Sequence, residues 1–131
     1  MKLFTKTILP ILIATIWISI SEFVRNQFLL KSFWTDHYAQ LGIVFPQQPI
    51  NGAIWGLWSL LFAVSIYFIS TKFSMLATTL LSWFNAFVLM WVVIGNMGVL
   101  PSGILYAAIP LSLLEAWVAT FIIKKLSGGQ N

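Results

Sequence analysis

No charged residue stands between Ile50 and Ser70, and none between Met75 and Asn96. Each run is about the length that crosses a hydrocarbon core of roughly 30 Å as a helix. Two further apolar stretches, over about 7–27 and 102–123, flank them and are interrupted only by Glu22, Arg25 and Glu115. These four runs constrain the fold more than any other feature. With 8% charged residues, the chain lies far below the quarter typical of water-soluble domains. Lipid is therefore the solvent to reason in. There the backbone must bond to itself, and continuous apolar runs do so as helices, since barrel strands would alternate. The sequence predicts an all-α protein: an integral membrane four-helix bundle, with residues 1–131 as one transmembrane domain.

The basic residues predict a topology. Lys2 and Lys6 precede the first run, Lys72 separates the second from the third, and Lys124 and Lys125 follow the fourth. Four crossings put all five on one side and leave only Arg25 and Lys31 for the other. The positive-inside rule makes the lysine-rich side cytoplasmic, with both termini there, in a multi-pass protein of the cell membrane. Compact loops suggest a bacterial inner membrane. A competing reading comes from Ser19-Ile20-Ser21 before Glu22, which resembles the small-residue end of a secretory signal.

The longest connection, on the outer side, carries Leu30, Phe33, Trp34, Tyr38 and Leu41 at helical spacing. This predicts an interfacial amphipathic helix over about 28–42, or a continuation of span one bent over the bundle, with Gly42 as its stop. "FPQQPING" (Phe45–Gly52) then breaks the helix. Short turns at Ser70–Ser74 and Asn96–Pro101 make the later spans antiparallel neighbours.

Apolar helices gain nothing hydrophobic by associating in lipid, so small and polar residues mark the faces that meet. Those faces are predicted at Thr15, Ser19, Glu22 and Asn26; at Gly52, Gly56, Ser59 and Ala63; at Thr78, Ser82 and Asn85; and at Ala108, Ser112, Glu115 and Ala119. At about 1.5 Å per residue, Glu115 lies roughly 13 Å from Lys124, near the bilayer middle, and Glu22 roughly 24 Å from Lys6. The polar groups then form a ladder climbing toward the outer face, with Arg25 capping it and Pro110 opening span four beside it.

The candidate binding residues are accordingly Glu115, Glu22, Arg25, Asn85, Ser112, Ser82 and Ser59. An ionised carboxylate at the bilayer centre costs at least about 2.5–3.5 kcal/mol, so Glu115 must face inward. It acts there either as a neutral tie bonded to Asn85, Ser82 or Ser112, or as a titrating site on an ion path. Glu22 and Arg25, three apart, make a local interfacial ion pair, or else free Arg25 to hold an anionic headgroup.

Catalysis finds little support. Asp36 and His37 are adjacent and point about 100° apart on a helix, so neither orients the other. Without cysteine and with one histidine, thiolate and His-rich metal sites are excluded. No cofactor motif and no nucleic-acid-binding basic run appears. Trp34, Trp55 and Trp91 suit an outer interfacial belt, while Trp17, Trp83 and Trp117 fall deeper and suit packing or lipid-facing bulk. Aromatic side chains could also line a cavity for an apolar or cationic ligand.

Four short spans around one intramembrane Glu resemble the general layout of small multidrug-type exporters. The Glu here is in the last span and no stretch of sequence is shared, so no residue role is carried over. Two readings stand. The first is a structural or accessory membrane protein, alone, as a homo-oligomer or within a larger membrane complex. The second is a small proton- or cation-coupled carrier or channel using Glu115.

Overall fold

The computed structural model describes residues 1–129. They form five helices and no strand: α1 (Phe4–Leu29), α2 (Lys31–Gln40), α3 (Pro49–Ser70), α4 (Met75–Asn96) and α5 (Leu105–Ser127). Four of them, α1, α3, α4 and α5, are long and apolar enough to cross a membrane. The chain is a multi-pass helical bundle.

Local chemistry sets the helix ends. Leu30 leaves helical geometry (φ −117°, ψ 13°), which separates α1 from α2. Of the two arrangements open for the outer segment, the chain thus adopts a separate short helix. Gly42, at φ +74°, ends it in the left-handed region that glycine enters without penalty. Pro49 opens α3, and the Gln48 N–H donates to Asn51 Oδ1 (3.0 Å). Ser74 Oγ accepts the Ala77 N–H (3.3 Å) at the head of α4. The last helix runs past the expected 123 to Ser127, because Lys124 and Lys125 favour a helix C-terminus, and Gly128 at φ +79° stops it.

α1 packs on α3 and α5, α4 packs on the same two, and α3 touches α5 across the middle. The contacts use small side chains. Ala14, Ala63, Ala116 and Ala119 are fully buried among Ile18, Phe62, Ile66, Phe87 and Ile123, which lets the backbones approach closely. At the end holding the termini, Lys124 Nζ donates to the Ser70 carbonyl (3.1 Å), and the Thr7 and Tyr67 hydroxyls share a bond (2.9 Å). At the other end α2 lies over the bundle. Leu30 packs there with Ile104 and Ala108, and His37 Nε2 bonds the Gly98 carbonyl (2.7 Å).

Helix α1 contains two widened, π-type turns, at Phe4–Ile8 and Arg25–Leu29, and α4 contains one at Phe84–Val88. The Leu30 N–H reaches back five residues to the Arg25 carbonyl (2.8 Å), and the Leu89 N–H does the same to Phe84. In α4 the extra residue moves the buried line from Ser82 to Phe87, so Asn85 faces outward. That overturns its expected inward position.

The predicted meeting faces hold in part. All four residues of the α5 stripe are buried, as are Thr78 and Ser82 on α4, Ser59 and Ala63 on α3, and Glu22 on α1. Gly52 and Gly56 are not helix contacts: a Cβ on either would meet nothing within 4 Å. On α1 the buried line is Pro10, Ala14, Ile18, Glu22 and Arg25, leaving Thr15, Ser19 and Asn26 half-buried beside it.

Candidate functional site: a buried trio beneath an aromatic chamber

Glu22 and Arg25 follow one another by one turn on α1, and Glu115 faces them from α5. All three are buried, at 4%, 6% and 0% exposure. Arg25 Nη2 bonds Glu22 Oε1, and Arg25 Nη1 stands 3.7 Å from Glu115 Oε1. The second distance is within ion-pair reach and too long for a hydrogen bond. The guanidinium also lies over the Phe87 ring of α4, 5.1 Å from its centre, a cation–π contact that replaces part of its lost hydration. Asn26 Nδ2 donates to Glu22 Oε2 (3.0 Å), and Asn26 Oδ1 accepts from Trp34 Nε1 of α2 (3.0 Å). One chain of bonds thus runs from α2 through Glu22 to Arg25 and on toward α5.

The expected ladder is therefore wrong in one respect. Arg25 does not cap the outer end. Its long side chain reaches toward Glu115, so Glu22, Arg25 and Glu115 form one cluster and not separate rungs. The interfacial ion pair expected for Glu22 and Arg25 is likewise replaced by a buried one. A depth ruler based on Cα rise misses this, because an arginine side chain lying along its helix carries its charge more than one turn from its own Cα.

The partners expected for Glu115 are occupied or absent. Asn85 is exposed on α4, and its Nδ2 donates to the Leu81 carbonyl (2.8 Å). Ser112 Oγ accepts from Trp83 Nε1 (2.8 Å) and donates to the Ile109 carbonyl (3.0 Å). Ser59 Oγ donates to the Trp55 carbonyl (2.9 Å). Ser82 Oγ is buried with no hydrogen-bond partner among the described residues, and so are both carboxylate oxygens of Glu115. Trp17 Nε1 does bond residue 115, but at its backbone carbonyl (3.0 Å).

Two hollows adjoin the trio. One, of about 360 Å³, lies between α1 and α3 and is lined by Ser19, Glu22, Gly52, Gly56 and Ser59 among others. This is where the two glycines of α3 act: they leave room. The other, of about 290 Å³, lies beneath α2, walled by Trp34, Tyr38, Phe45, Trp55 and Trp91, with Glu22 and Arg25 also on its surface. Glu22, Asn26, Asn51 and Trp55 line both. The three tryptophans expected as an interfacial belt thus share one chamber wall. Deeper, Trp17 and Trp83 tie helices together by the bonds above.

Sequence reading missed the chamber's α2 lid and the role of Phe45. Trp34, Tyr38 and Phe45 pack ring against ring, with centroids 5.2–6.4 Å apart. The helical spacing of Trp34 and Tyr38 was the available signal. Asp36 is exposed, and His37 is held by Gly98, so the two do not form a unit.

With every group ionised, the trio carries two negative charges and one positive. An uncompensated charge in such surroundings is costly. Comparison with protein-family models, curated proteins and solved structures finds no match.

Proposed function

We propose that this protein is a small proton- or cation-coupled carrier of the cell membrane, with Glu115 as its exchanging group. One observation supports the reading above all: among the described residues, neither oxygen of a fully buried carboxylate has a hydrogen bond of ordinary length, while a second carboxylate competes for the only guanidinium nearby. A carboxyl kept as interhelical glue would be bonded to the amides and hydroxyls around it. Among the described residues Glu115 has no such bond of ordinary length, although the Ser21 hydroxyl and the Glu22 carboxyl adjoin it. The aromatic chamber reaches Glu22 and Arg25 from the α2 end and the α1–α3 hollow reaches Glu22, with Glu115 buried behind them, and the packed alanines and isoleucines lie toward the termini. The lysine distribution supports cytoplasmic termini, and with that topology the chamber faces outward.

Proteoliposomes loaded with a pH-sensitive dye test it. An imposed sodium or potassium gradient is expected to drive proton movement with the wild-type chain. Glu115→Gln, which keeps the side chain's shape, is expected to abolish that movement and leave helicity unchanged. Equal proton movement with Glu115→Gln, or none with either chain, contradicts the carrier.

A structural or accessory role is the second reading. It is favoured by the side-chain bonds that each join two helices: Trp17 to Glu115, Trp83 to Ser112 and Lys124 to Ser70. On that reading Glu115→Gln changes neither folding nor function.

A further inference from the structure

Asn85 occupies the middle of α4, ten positions from Met75 and eleven from Asn96, yet its side chain is exposed on the outside of the bundle. Its Nδ2 has one bond, to the Leu81 carbonyl of its own helix, and its Oδ1 accepts nothing among the described residues. Acyl chains offer no partner to an amide at that depth. Ser82, one turn earlier, is 1% exposed and its Oγ has no hydrogen-bond partner among the described residues. Both residues line a groove of about 190 Å³ between α3 and α4, with Ser65 on its opposite wall. The π-type turn at Phe84–Val88 begins just before Asn85. The chain thus gives up regular helix geometry at the place where it turns an amide toward lipid, and such turns recur at working sites.

We propose that this groove is a dimer interface, and that its occupant is a second copy of the same chain. A primary amide is self-complementary. Across a two-fold axis the Nδ2–H of each Asn85 donates to the Oδ1 of its counterpart, and both unmet needs close at once. The groove beside it takes the facing helix, and Ser65, exposed on α3, adds a hydroxyl to the same face. Polar side chains joining helices in this way drive association in bilayers, where apolar contact alone supplies no preference over lipid.

The chain contains no cysteine, so introduced ones report without background. Full-length protein labelled at Thr71→Cys, an exposed turn position, is reconstituted in phosphatidylcholine vesicles over a range of lipid-to-protein ratios. Energy transfer between copies then reads association. The wild-type chain is expected to dimerise reversibly, with Asn85→Leu weakening association about tenfold, the worth of an interhelical polar bond. Leu81→Cys, on the same face one turn away, is expected to form an oxidised dimer. Leu114→Cys, exposed on α5, is expected to remain monomeric. Random energy transfer at every ratio overturns the proposal and leaves the groove to lipid or to another protein. Dimers unchanged by Asn85→Leu, or cross-linked through Leu114→Cys in place of Leu81→Cys, overturn it as well. None of these readouts depends on proton movement.

Discussion

Replacement of Arg25 by Met is expected to cost the bundle about 3–5 kcal/mol, the usual penalty for leaving buried charge without its partner. Two carboxylates lose their only nearby cation in this substitution, since Glu22 bonds Arg25 directly and Glu115 stands 3.7 Å from it. Arg25→Lys is expected to fall between wild type and Arg25→Met. An ammonium restores the charge without the planar fork that spans two acceptors and rests on the Phe87 ring. Adding Glu22→Gln to Arg25→Met is expected to recover part of the loss, because it removes one stranded charge. Equilibrium unfolding in mixed micelles measures all three. A loss below about 1 kcal/mol for Arg25→Met is what an exposed pair would give, and would refute burial of the trio.

Phe87→Ala is expected to be nearly as damaging. The ring is 1% exposed and packs against Phe62, Trp58 and Trp91 with centroids 5.6–5.8 Å apart. In a water-soluble core the change costs about 3–5 kcal/mol. Lipid removes the hydrophobic part of that figure, while the lost packing remains, so about 2–3 kcal/mol is expected here. Because the same ring supports the guanidinium, Phe87→Ala and Arg25→Met should combine with less than additive loss. Additive losses in the same unfolding assay would mean that the ring and the cation act independently.

The two residues also show how far the sequence could be read. Span number, antiparallel order and the inward face of α5 follow from hydropathy and from small residues at helical spacing, and Ala108, Ser112, Glu115 and Ala119 are all buried as that pattern requires. Burial of Glu22 was legible for the same reason. Two things were not. The reach of the Arg25 side chain depends on rotamers, which spacing does not encode, so spacing alone predicts a ladder where the structure has a cluster. The outward rotation of Asn85 comes from one widened turn in an apolar helix, and "FNAFV" carries no proline or glycine to announce it. Gly52 and Gly56 were misplaced for a third reason: small residues permit either a close contact or a hollow, and only the position of the neighbouring helix decides which.

The account rests on a guanidinium from α1 and a carboxylate from α5 sharing one buried site. A double-mutant cycle between Arg25→Met and Glu115→Gln, measured by reversible unfolding in bilayer mimetics, addresses it most directly. A coupling of at least about 1 kcal/mol is expected, as for residues of one charged network. Additivity within about 0.5 kcal/mol would show that the two helices do not meet through these side chains, and would contradict both the trio and the carrier built on it.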